Sequence, residues 1–189
     1  KLNHRGPNQN SDWTSSEKNI FLAHRRLSIN DLTLNGIQPM MSQSGRYVII
    51  FNGEIYNFLD LKKNYISNKY NFKGGSDTEV LLALIEKYGV YDAVNKLNGM
   101  YAFALYDLKL KKLFLTRDSA GQKPLYYYKD NNCFFFSSEI RGLKIEGVKN
   151  KLSQLALKYF FQLSYIPAPL TIYESVYKIK KGTILELDI

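Results

Sequence analysis

Residues 46–53, "RYVIIFNG", constrain this chain more than any other stretch. The run is apolar almost without a break, so it reads as a strand buried on both faces. A strand of that kind belongs inside a layered fold, covered on either side. It runs straight into Asn52-Gly53, a pair that commonly marks a tight hairpin turn. The residues that follow do not read as an alternating return strand. They give Glu-Ile-Tyr-Asn and then "FLDLKKNYISNKY" (58–70), a helical pattern with Leu59, Leu61 and Ile66 as core contacts.

The rest of the chain alternates helices with paired strands. "FKGG" interrupts the backbone. "SDTEVLLALIEKYG" (76–89) then opens with Ser76 and Glu79 at capping-box spacing, and Gly89 is placed to stop the helix. A short helix over 91–97 follows. Residues 99–118 and 124–139 read as two hairpins, the second turning at Asp130-Asn131-Asn132. A helix is expected over 153–163 and a final strand at "TILELDI". Antiparallel hairpins with helices grouped between them predict an α+β fold rather than a wound parallel sheet.

Composition excludes several classes. Among 189 residues, 45% are hydrophobic and 23% charged, the balance of a globular domain. No apolar run approaches the roughly 20 residues that span a bilayer, and the first residues are polar, so neither membrane nor signal segment is expected. Cys133 is the one cysteine, which rules out an internal disulfide and favours a reducing, cytoplasmic setting. With only His4 and His24 beside it, no zinc site is expected. The net charge of +9 rests on lysines scattered through turns, a solvated surface rather than a nucleic-acid patch. The 15 tyrosines and 11 phenylalanines fall in strand patterns and read as core.

Three motifs can carry chemistry. In "NGE" (52–54) an Asn amide and a neighbouring backbone N–H can donate two hydrogen bonds to one oxygen, as an oxyanion hole requires. Gly53 allows close approach because it has no Cβ. The competing reading is a type I′ turn, which has no need of Glu54. In "LAHRRLSIND" (22–31) either arginine can grip a carboxylate with two parallel bonds, or can be one of a surface pair. In "GGSDTE", Asp77 sits at a helix start, where an acid is favourable for capping alone. Taken together, an arginine, an acid pair and an Asn-Gly corner suit a zwitterionic amino acid with a side-chain carbonyl. "RDSAGQKP" (117–124) reads as a fixed turn near that site. His4 and His24 read as packing or hydrogen-bonding residues.

"HRGPN", "LAHRRLSIND", "FNGEIYN", "SDTEVLLALIEKYG", "LNGMYAFALYD", "RDSAGQKPLYYY" and "SSEIRGL" occur in that order between residues 4 and 143. In this they resemble the glutaminase domain of glutamine-hydrolysing asparagine synthetases. These are class II glutamine amidotransferases of the N-terminal-nucleophile hydrolase type. "NGEIYN" favours that group over the phosphoribosyl-pyrophosphate and glucosamine-phosphate amidotransferases. The resemblance implies a four-layer αββα sandwich with two antiparallel sheets. It divides the chain into an amidotransferase domain, 1–150, lacking its N-terminal part, and a connector, 151–189, toward an absent synthetase domain.

The resemblance also implies the site. Arg26 would take the glutamine α-carboxylate, with backbone near Ile29 and Asn30 lining the pocket. Asn52 and Gly53 would form the oxyanion hole, and Glu54 and Asp77 would face the α-ammonium. The family's nucleophile is an N-terminal cysteine that this chain, starting at Lys1, does not contain. As given, the polypeptide is expected not to hydrolyse glutamine. No cofactor is expected in this fragment, whereas ATP and magnesium are expected in the synthetase domain. The implied partners are glutamine and that domain, with no nucleic acid or membrane, and a homodimer left open. The implied activity is glutamine hydrolysis feeding ammonia to ATP-dependent amidation of aspartate or a related carboxylate. The alternative is an inactive glutamine-binding or scaffolding module that has lost the cysteine.

Overall fold

A computed structural model of the chain describes residues 2–27, 33–66, 70–144 and 151–189. Its centre is a five-stranded antiparallel sheet in the order β10-β6-β5-β4-β3. The strands are β3 (Met40–Met41), β4 (Tyr47–Ile55), β5 (Gly99–Asp107), β6 (Lys112–Arg117) and β10 (Ile184–Asp188). Side chains alternate across a strand, and the two faces of this sheet accordingly feed two cores. Tyr47, Ile49, Phe51, Tyr101, Phe103 and Leu105 pack against α1 (Phe58–Tyr65) and α2 (Asp77–Val94). Val48, Ala102, Ala104, Tyr106, Leu113 and Leu115 pack the other way, with Leu22, Leu125 and Ile179.

That second face is covered by another antiparallel layer. Among the described residues it consists of two pieces, β1 (Gln9–Thr14) with β2 (Phe21–Arg26), and the order β8-β7-β9. The strands of the latter are β7 (Tyr126–Lys129), β8 (Phe134–Ser137) and β9 (Val176–Lys178). Helix α3 (Gln154–Leu163) follows, its Ser153 cap accepting from the Ala156 N–H at 3.2 Å. The fold is α+β with antiparallel sheets, as the hairpin pattern predicts. Residues 151–189, the expected connector, contribute α3 and two strands that pair into these sheets, β9 with β7 and β10 with β6.

Several local expectations change. β4 does not stop at Asn52-Gly53 but runs on to Ile55, its residues paired with Ala102, Tyr101 and Met100 on β5. The reason is steric. A Cβ on Gly53 would lie 2.1 Å from the Met100 carbonyl oxygen, so the glycine serves close strand approach rather than a turn. Leu59 is 65% exposed while Leu61 is buried. Residues two positions apart on a helix are turned by about 200° from each other, so Leu59 and Leu61 cannot both face the core. β1 is polar in sequence and half exposed; it is a strand because β2 pairs with it along its whole length. The capping box is half formed: Ser76 Oγ accepts the Glu79 N–H, but the Glu79 carboxylate reaches past it to the N–H groups of Lys73 and Gly74. Gly89, at φ 79°, breaks the helix where expected, and α2 resumes beyond it.

Candidate functional site

On β2 the inward positions follow a period of two: Leu22, His24 and Arg26. Arg26 is 8% exposed despite its charge. Its Nη1 donates to Gln9 Oε1 at 2.9 Å and to the Thr33 carbonyl at 3.0 Å. A Cβ on Gly36 would come within 2.1 Å of its Nη2, so that glycine is a cradle for the guanidinium.

Among the described residues, β3 pairs with β4 at Ile49 and Val48 and no strand covers the rest of that edge. Side chains take over. The Phe51 N–H donates to Gln38 Oε1 at 2.6 Å, and the Phe51 carbonyl accepts from His24 Nε2 at 3.1 Å. Further along, the Ile55 N–H donates to Asp77 Oδ2 at 2.9 Å. In an antiparallel ladder, polar groups point toward and away from the partner strand at alternate residues. Phe51 and Ile55 point away from β5, so Gly53, midway between them, turns its N–H to the same open edge. Asn52 stands beside it. Its Nδ2 is buried and has no hydrogen-bond partner among the described residues.

Asp77 begins α2 and is 5% exposed. Each carboxylate oxygen accepts one backbone N–H, Oδ2 from Ile55 and Oδ1 from Thr78 at 2.9 Å, and keeps a lone pair for another donor. Burial pushes its pKa up, against those two bonds, and the nearby Glu54 charge adds to the rise. His24 is lowered to about 4, chiefly by burial, with the Phe51 bond opposing and the Arg26 charge assisting. Its imidazole is therefore neutral at pH 7. Because a carbonyl only accepts, Nε2 carries the proton. Nδ1 is then a bare acceptor, buried and without a partner among the described residues.

Arg26, Asn52, Gly53, Glu54 and Asp77 all line one cavity of about 400 Å³. It opens between β2 and the central sheet and is also bordered by His24, Gln38, Thr78 and Lys123. Ile29 and Asn30 lie outside the described residues. The turn 117–124 stands at the rim, fixed by Asp118, whose carboxylate accepts the N–H groups of Gln122 and Lys123. Cys133 is not part of the lining. It sits at the β7–β8 turn, its thiol donating to Asp130 Oδ1 at 3.2 Å and its pKa pushed up by burial first. Gly36, Gln38 and Gln9 escaped the sequence reading because nothing local marks them. The period-two face through Leu22 and Arg26 would have drawn His24 into the site.

The model of the glutamine amidotransferase domain family matches residues 1–189. The chain belongs to that family. Similar proteins include a putative glutamine-hydrolysing asparagine synthetase 2 of Methanocaldococcus jannaschii, 37% identical over 99% of this chain and 40% of its own length. Asparagine synthetase 1 of Bacillus subtilis is 37% identical over 95% of this chain and 28% of its own length. Asparagine synthetase B of Escherichia coli is 40% identical over 75% of the chain and 25% of its own. This amidotransferase domain thus spans two fifths or less of these relatives. Among solved structures, the glutamine phosphoribosylpyrophosphate amidotransferase of Bacillus subtilis shares the fold, with TM-score 0.56 and 19% identity over 88% of this chain and 34% of its own. An allosteric regulatory enzyme of purine biosynthesis does so with TM-score 0.60 and 21% identity over 88% of the chain and 32% of its own. Among the described residues no helix is long and apolar enough to cross a membrane.

Proposed function

We propose that the cavity binds L-glutamine and that this domain is the glutaminase half of an asparagine-synthetase-like ligase. The observation that carries the reading is the orphaned Asn52 amide, buried in the cavity that Arg26 and Asp77 also line. A buried donor left unpaired costs about 1–3 kcal/mol, which a ligand oxygen would recover. Arg26 takes the α-carboxylate, and Asp77 with Glu54 takes the α-ammonium. The side-chain carboxamide oxygen would then accept from Asn52 Nδ2 and the Gly53 N–H.

Attack by a cysteine thiolate on the carboxamide carbon would put negative charge on its oxygen, where these two donors stabilise it. Collapse expels ammonia and leaves a thioester, and water then releases glutamate. Cys133 does not border the cavity; an N-terminal cysteine of the kind the resemblance implies would supply the thiolate. Residues 1–150 would carry the glutamine site and 151–189 would lead toward the synthetase domain. ATP and magnesium would be held there, the acceptor being aspartate or a related carboxylate.

The test is turnover by the full-length polypeptide. Asn52→Ala is expected to lower glutamine-dependent glutamate release about 10²–10³-fold and to leave ammonia-dependent amidation largely intact. Equal loss of both contradicts the oxyanion role. Glutamine binding without glutamate release in the unaltered protein would favour the inactive binding module instead.

A further inference from the structure

We infer that His24 and Gln38 are positioning residues for the oxyanion corner, standing in for a missing neighbour strand along β4. This rests on the glutamine reading and extends it to groups that need not touch substrate. Among the described residues, no strand pairs with that edge of β4 beyond Ile49. Yet both polar groups of Phe51 are satisfied there, the N–H by Gln38 and the carbonyl by His24. Those are the bonds a ladder would supply, delivered by two side chains to the residue just before Asn52.

The consequence is geometric. A further strand on this edge would also take the Gly53 N–H, since alternation directs it the same way as that of Phe51. Side chains can satisfy one residue and leave the next donor free for a ligand. Gln38 extends the brace: its Nε2 donates to Thr78 Oγ1 at 3.3 Å, joining β4 to the first turn of α2 beside Asp77. The corner for the reacting oxygen and the acid for the ammonium are therefore held by one frame. His24 braces with a proton on Nε2, and burial first, then the Arg26 charge, opposes a second one.

Two measurements decide the matter. The first needs no ligand: ring nitrogen shifts of His24 in the isotope-labelled full-length protein. The expected signature is a neutral imidazole protonated at Nε2 and bare at Nδ1 at pH 7. The opposite tautomer, with its proton on Nδ1 and Nε2 bare, overturns the proposal. The second is glutaminase kinetics on the full-length polypeptide. His24→Leu is expected to lower kcat roughly tenfold to a hundredfold through misplacement of the corner, with KM for glutamine little changed. His24→Gln, whose Nε2 can reach the same carbonyl, is expected to recover most of the rate. A rise in KM at constant kcat, or no difference between the Leu and Gln variants, overturns it. If the unaltered protein neither binds nor hydrolyses glutamine, the functional reading fails, while the tautomer measurement still decides the brace.

Discussion

The Ile55 N–H donates to Asp77 Oδ2 at 2.9 Å, tying the end of β4 to the first residue of α2. Asp77 therefore both builds the cavity and faces it. Removing the carboxylate does two things at once. In Asp77→Ala the N–H groups of Ile55 and Thr78 lose their acceptor, at a cost of about 2 kcal/mol or more in unfolding free energy. Glutamine affinity is lost with it. Asp77→Asn keeps one carbonyl acceptor, so its stability is expected to stay nearer the unaltered value while glutamine binding still falls. Urea unfolding and calorimetric titration of both variants check the two effects separately.

Gly36→Ala should act on affinity and, by pushing a buried guanidinium off Gln9 and Thr33, on stability as well. The new Cβ would sit 2.1 Å from Arg26 Nη2, the far end of a flexible side chain that can shift. The shifted guanidinium no longer meets a carboxylate squarely, and glutamine affinity is expected to drop about tenfold, or 1.4 kcal/mol. Unchanged affinity in this variant would argue that Arg26 does not hold the ligand.

Gly53→Ala should act on the fold itself. Its Cβ would lie 2.1 Å from the Met100 carbonyl and 2.7 Å from Tyr101 Cα, both backbone atoms that cannot step aside. Overpacking of this kind costs about 1–3 kcal/mol. A lowered urea midpoint is the expected result.

The pH dependence follows from His24, whose pKa falls from 6.5 to about 4 in the folded chain. Between those values the unfolded imidazole binds a proton that the folded one refuses, so acid favours unfolding. The contribution is complete above pH 6.5 and is lost as pH falls toward 4, and it is on the order of 3 kcal/mol. His24→Gln removes it. The difference between the two stability curves isolates the histidine, because Asp77, moved up by burial, has the opposite sign and is common to both.

Much of this architecture is legible in the chain because its signals are local. "RYVIIFNG" announces a doubly buried strand, and β4 is one. Gly89 announces a helix break, and φ 79° confirms it. The motif residues Arg26, Asn52, Gly53, Glu54 and Asp77 meet in one cavity. What the pattern hides is set by partners distant in sequence. β1 becomes a strand only because β2 lies beside it. Gln38 and Gly36 matter for where they dock, on Phe51 and Arg26, and carry no periodicity of their own. Asn52-Gly53 misleads as a turn signal because its glycine answers a steric demand from β5, which lies about fifty residues further along the chain.

Calorimetric titration of L-glutamine into the 189-residue chain, beside its Arg26→Leu variant, addresses the shared cavity most directly. The expected result is one binding site in the unaltered chain, abolished in the variant, with no heat from L-glutamine's decarboxylated analogue. Undiminished binding by Arg26→Leu, or equal binding of the analogue, would contradict the account.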